Sequence, residues 1–196
     1  MRKLRSIEIE RLSVEEFRQA EKMPLVVVLD DVRSLYNVGS VFRTCDAFRV
    51  EAVYLCGITA TPPSTEIHKT ALGAEESVRW QYFKTADDAV EQLKADGYMV
   101  YAVEQAEGSI ILSGEGREES GEREGYGEAS SLPFREGAGV GLVLGNEVKG
   151  VHQSTIDLCD GCIEIPQWGT KHSLNVAVAA GIVVWEFAQR HLLCEK

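Results

Sequence analysis

A chain of 196 residues, 44% hydrophobic and 26% charged, is long enough to bury one sizeable core and has the balance of an ordinary globular domain. No run of about 18 apolar residues is present, and the opening MRKLRSIEIERL lacks the apolar centre of a signal peptide, so the expectation is a cytoplasmic protein without a membrane span. The net charge of −11 argues against a polyanionic partner, yet residues 106–136 hold eight Glu against three Arg; the remainder is only mildly acidic and permits RNA binding.

Ser13 with Glu16 forms a capping box, which predicts a short helix over about 14–22, ended by Pro24. LVVVLDD is continuously apolar rather than alternating, the pattern of a strand buried on both faces. A polar turn, a helix through VGSVFRTCDAF and a strand AVYLCG follow. STEIHKTALGA reads as a short helix, VRWQYF as a strand, and TADDAVEQLKADG as a helix with Thr85 as N-cap and Gly97 just past its end. YMVYAVE is the next strand, and the β-α-β alternation predicts a parallel sheet covered by helices. Residues 113–136 have no period and few apolar side chains, so a surface loop rich in Gly and Glu is expected there. VGLVLG, a turn and short helix through NEVKGVHQSTIDL, CIEIP and a final helix from about Ser173 to His191 complete the order.

Five cysteines without a secretion signal point to free thiols. The CDGC stretch (Cys159, Cys162) has no second Cys/His pair and does not open a helix after a strand, so it reads as a turn before a strand and no metal is expected. GAGVGL precedes a strand instead of following one, and no phosphate-loop spacing exists, so neither nicotinamide nor ATP chemistry is supported.

Three segments carry candidate chemistry. In LYNVGSVFRTCDAF, Asn37 stands where an N-cap is expected, Gly39 in the first turn, and Arg43 four residues on along the same face. Its guanidinium then reaches back over a bare glycine surface and, with free backbone N–H groups, seats a phosphate or a developing oxyanion; the alternative is a capped helix with a solvated Arg. In LVLGNEVKGV a buried strand ends at Gly145, and Asn146, Glu147 and Gly150 form the turn at its C-terminal end, where parallel sheets place ligands; a plain strand-to-helix connection is the alternative. In IEIPQWGTKHSLNVAVAAG, Ser173 is placed to cap the last helix, with Asn175 in its first turn. From Leu174 to Val184 this helix has no obvious solvent face, which suits burial against the sheet on one side and a second subunit on another; a buried helix of a monomer is the alternative.

Taken in order, the three segments resemble the three motifs of the SpoU/TrmH branch of the SPOUT superfamily, methyltransferases acting on ribose 2′-hydroxyls of tRNA or rRNA. Asn37, Gly39 and Arg43 match the first; Gly145, Glu147 and Gly150 the second; Ile165, Pro166, Ser173, Leu174 and Asn175 the third. The resemblance implies an α/β fold with a C-terminal deep trefoil knot over residues 25–196, preceded by an extension at 1–24. It further implies S-adenosyl-L-methionine folded into the knotted loops, and a homodimer packed through the last helix. Backbone groups around Gly145, Ile165 and Leu174 would hold the adenosine part. Glu104, at the end of VYAVEQ, would contribute where a small or hydroxylated residue is usual. The resemblance assigns Arg43 the activating role, with Asn37, Glu147, Ser173 and Asn175 orienting Arg43, cofactor and ribose, and the partner's first motif completing each site. Arginine is a poor base, so its charge is the expected contribution. RNA is the implied partner, tRNA ahead of rRNA on family grounds; Arg2, Lys3, Arg5 and Arg11 are available as phosphate contacts, with a solvated tail as the alternative. A non-catalytic RNA-binding or assembly factor that kept the fold is the alternative, and binding of S-adenosylmethionine under dimeric conditions separates the two.

Overall fold

The structure, a computed structural model, describes residues 1–5, 8–9, 11–112 and 138–194; the acidic segment 113–136 therefore lies outside the described residues. Seven strands form one sheet: β1 (Met23–Asp30), β2 (Val50–Cys56), β3 (Arg79–Phe83), β4 (Met99–Val103), β5 (Ile110–Ile111), β6 (Val140–Leu144) and β7 (Gly161–Glu164). Their order is β3-β2-β1-β6-β4-β7-β5 and every pairing is parallel. The helices are α1 (Val14–Gln19), α2 (Leu35–Ala47), α3 (Thr65–Ala71), α4 (Ala74–Ser77), α5 (Ala86–Ala95), α6 (Gln153–Leu158) and α7 (Val176–Cys194).

β1 explains why its apolar run is unbroken. Leu25, Val27 and Leu29 face one core with Phe42 of α2, Ile67 of α3 and Val183 of α7, while Val26 and Val28 face a second core with Ala89, Val90 and Leu93 of α5. Val27, Val28 and Leu29 are fully buried, each such side chain stabilising the fold by about 1.5–3 kcal/mol. Phe17 of α1 joins the first core, so the N-terminal helix is docked on the domain.

Local signals set several boundaries. Ser13 and Glu16 make both bonds of the capping box, and α1 stops early because Lys22 folds back to donate to the Phe17 and Ala20 carbonyls at its end. Thr85 caps α5, with Asp87 and Asp88 in the first turn and Lys94 in the last, complementing the helix dipole. α4 and the two-residue β5 carry too little pattern to be read from sequence. Cys159 ends α6 and Cys162 lies in β7; both are free thiols that burial pushes up, Cys159 to about 12. Among the described residues no helix is long and apolar enough to cross a membrane.

The chain lays β1, β2 and β3 outward in one direction and later places β6 and β4 on β1's other side. A crevice opens at the C-terminal ends of strands where the winding reverses, and there the β1–α2 and β6–α6 connections meet.

Candidate active site

Two corrections to helix capping explain the site. Ser34, not Asn37, caps α2, its hydroxyl accepting the Asn37 N–H. The Asn37 side chain is thereby released from capping duty. Likewise α7 starts at Val176, and Asn175, not Ser173, caps it: Asn175 Oδ1 accepts from Ala177 N at 2.9 Å and Val178 N at 3.4 Å. The misses run in opposite directions: the chain enters α2 three residues before Asn37 and enters α7 two residues after Ser173.

The consequence is a continuous chain of oriented amides. With its oxygen committed to the α7 cap, Asn175 must point Nδ2 outward, and it donates to Asn37 Oδ1 at 3.1 Å. Asn37 Nδ2 in turn donates to Glu147 Oε1 at 3.0 Å. The same carboxylate accepts the backbone N–H of Arg33 and of Ser34, each at 3.0 Å, just ahead of α2. Residues separated by 110 and 138 positions thus form one network joining all three segments.

Partial burial pushes the Glu147 carboxyl up. The bonds from the backbone N–H groups of Arg33, Glu147 itself and Ser34 and from the Asn37 amide outweigh it, and the group titrates below its ordinary value. A depressed folded pKa means stabilisation present above the unfolded value and lost only as pH falls through the folded one. Asn37 side-chain amide resonances are expected to hold their shifts as pH is lowered through about 4.3 and to move only below it; movement centred at or above that value contradicts the network.

Beside the network lies a cavity of about 440 Å³ whose lining includes Glu104, Gly145, Glu147, Ile165, Ser173 and Leu174. All four residues assigned to the cofactor therefore share one pocket. Gly145 forms its wall at van der Waals limit: a Cβ there would overlap the Gly150 carbonyl carbon and Val151 N. Gly150 has φ +69°, and a Cβ on it would strike the Glu104 carboxylate. That carboxylate accepts from Gln105 N at 2.9 Å and Val151 N at 3.1 Å, tying the end of β4 to the β6–α6 turn. Ser173 lines the pocket without a hydrogen bond among the described residues.

Arg43 is elsewhere. Gly39 is buried against Thr70 and Ile67 of α3, so no bare glycine surface exists for the guanidinium to cross. Arg43 is exposed and lines a separate groove with Lys69 and Phe48, sharing no residue with the cavity beside the network.

Sequence reasoning placed Asn146 in its turn without the partners it finds, and missed Thr59 and Asp30, which also hold the turns. Asn146, buried, donates to Asp31 O at 2.7 Å and accepts from Val148 N and Lys149 N, fixing the β6 turn on the β1 turn. Thr59 accepts from Val32 N and donates to Leu29 O. Asp30 accepts from both the backbone N–H and Nδ1 of His152. The only signal for them was polarity directly after an apolar strand.

Comparison with known proteins agrees with this fold. The model of the SpoU rRNA Methylase family matches residues 24–185. The chain is 29% identical over 168 residues to the 23S rRNA (guanosine-2′-O-)-methyltransferase RlmB of Xanthomonas axonopodis, covering 86% of this chain and 59% of that protein. It is 29% identical over 189 residues to the tRNA (guanosine(18)-2′-O)-methyltransferase of Thermus thermophilus, covering 95% and 84%. A solved AdoMet-bound rRNA methyltransferase from Sinorhizobium meliloti superposes with TM-score 0.70 at 27% identity, over 90% of this chain and 60% of that one. The chain spans 59–61% of the length of the RlmB relatives it matches. With the family model matched over residues 24–185, the chain belongs to the SpoU rRNA methylase family.

Proposed function

We propose that this protein transfers a methyl group from S-adenosyl-L-methionine to a ribose 2′-hydroxyl of structured RNA, with tRNA as the substrate. The observation that carries the reading is the Asn175–Asn37–Glu147 chain set against the pocket of Gly145, Ile165 and Leu174. The pocket fits the cofactor: about 440 Å³ falls within the ~300–1,000 Å³ range of small-molecule sites. Each Glu104 carboxylate oxygen retains acceptor capacity for a hydroxyl. Bound there, the cofactor supplies an electrophilic methyl sulfonium. The Thermus tRNA relative, matched over 84% of its length, favours tRNA.

The protein's part is alignment and charge. Glu147, held by the donors at Arg33, Ser34 and Asn37 and by its own N–H and titrating low, is a poor base and serves to fix the first turn of α2 against the pocket. The Arg43 guanidinium, a permanent cation, stabilises the oxyanion that develops at the ribose or grips the neighbouring phosphate. It comes from a second copy. α7 exposes Val178, Ile182 and Trp185 at 52%, 36% and 49%, spaced four and three apart on one face. Trp185 packs on Phe48 at 5.6 Å between ring centroids, and Phe48 lines the Arg43 groove, so a copy docked on this face meets Arg43. The family's C-terminal knot accords with β6 and β7 each inserting between strands laid down earlier.

Transfer of labelled methyl to total tRNA and to ribosomal RNA, with resistance to alkaline cleavage marking 2′-O-methylation, tests the reading. Label in tRNA at ribose is expected; label in neither RNA, from a dimer that binds the cofactor, contradicts it. Ile182→Glu is expected to convert the dimer to monomer in sedimentation and to abolish transfer, and an active monomer would remove the second copy from the mechanism.

A further inference from the structure

The rim of the pocket carries an unexplained indole. Trp168 is 82% exposed, in the β7–α7 loop, and its neighbours Gln167 and His172 both line the pocket. Facing turn residues Val148, 78% exposed, and Lys149 line the same pocket. Lys149 and Lys171 are exposed, and among the described residues neither side chain has an ion pair or hydrogen bond. An indole left in water forfeits a large apolar surface. The loop that carries Trp168 also carries Lys171, and Lys149 lines the facing side of the pocket, while the carboxylates of Glu104 and Glu147 there are taken up by N–H donors.

An exposed aromatic face on a lysine-bearing loop at a pocket with a second lysine matches what binds a single-stranded nucleic acid: the ring stacks on a base and the cations take the adjoining phosphates. We propose that Trp168 stacks on a nucleobase next to the methylated nucleotide, with Lys149 and Lys171 on the flanking phosphates. Trp168 is then a positioning residue that sets which unpaired nucleotide enters the site, by stacking instead of by base-edge hydrogen bonds. The inference rests on the RNA methylation reading above. It places Trp168 apart from the α7 stripe, on the loop that precedes that helix.

The test pairs Trp168→Ala with Trp168→Phe. With cofactor saturating, Ala is expected to raise the KM for tRNA about tenfold or more, with cofactor affinity and sedimentation unchanged, and Phe to restore most of the loss. Addition of tRNA is expected to quench tryptophan emission in the parent protein and not in Trp168→Phe. An unchanged KM in Ala, equal quenching in Phe, loss of the dimer or a parallel loss of cofactor affinity each overturns the proposal. If the parent protein methylates no RNA, the enzymatic reading fails by itself, and the quenching comparison still decides whether Trp168 meets RNA.

Discussion

Replacing Arg43 with Ala is expected to lower methyl transfer by about 10²–10³-fold or more, while the dissociation constant for S-adenosylmethionine and the sedimentation of the dimer stay unchanged. The side chain is exposed, and among the described residues it makes no hydrogen bond or ion pair, so its removal costs the fold nothing of note. It also lies outside the cavity proposed for the cofactor in its own chain, so cofactor affinity has no reason to change. Arg43→Lys keeps the charge but loses the planar fork, and only partial recovery is expected. Near-normal turnover of Arg43→Ala would remove the residue from the mechanism.

Gly145→Ala acts at the opposite half of the site. The added methyl would occupy the space of the Gly150 carbonyl carbon and Val151 N, backbone atoms that cannot rotate away. Those atoms are themselves tied down, since Val151 N donates to Glu104 and Asn146 exchanges both backbone bonds with Gly150. Cofactor affinity is expected to fall by about 100-fold or more, with overpacking lowering stability by about 1–3 kcal/mol. Calorimetry and thermal melting read the two effects separately. Parent-like affinity in Gly145→Ala would mean that the cofactor does not lie against this wall.

The fold was legible because β1's unbroken apolar run can only be satisfied with helices on both faces, and because Ser13 and Thr85 announce their helices locally. Of the residues the ordered motifs pointed to, the structure brings Asn37, Glu147 and Asn175 into one network and sets Arg43 in a separate groove. Their local duties were not legible. Ser34 and Asn37 are both acceptable caps, and the choice is made by a tertiary partner, Glu147, more than a hundred residues away. Gly39 looked like open surface because nothing in the helix itself reveals that α3 packs on it. Asn146 and Asp30, which hold the turns together, depend on meetings between segments that no local pattern encodes.

The account is tested most directly by co-expressing Arg43→Ala and Gly145→Ala chains, each inactive alone, and measuring methyl transfer by the mixed dimers. If the partner's Arg43 completes the pocket, a mixed dimer contains one intact site, and an equal mixture recovers about a quarter of parent activity. If Arg43 serves its own chain's pocket, no intact site forms and the mixture stays as inactive as its parts.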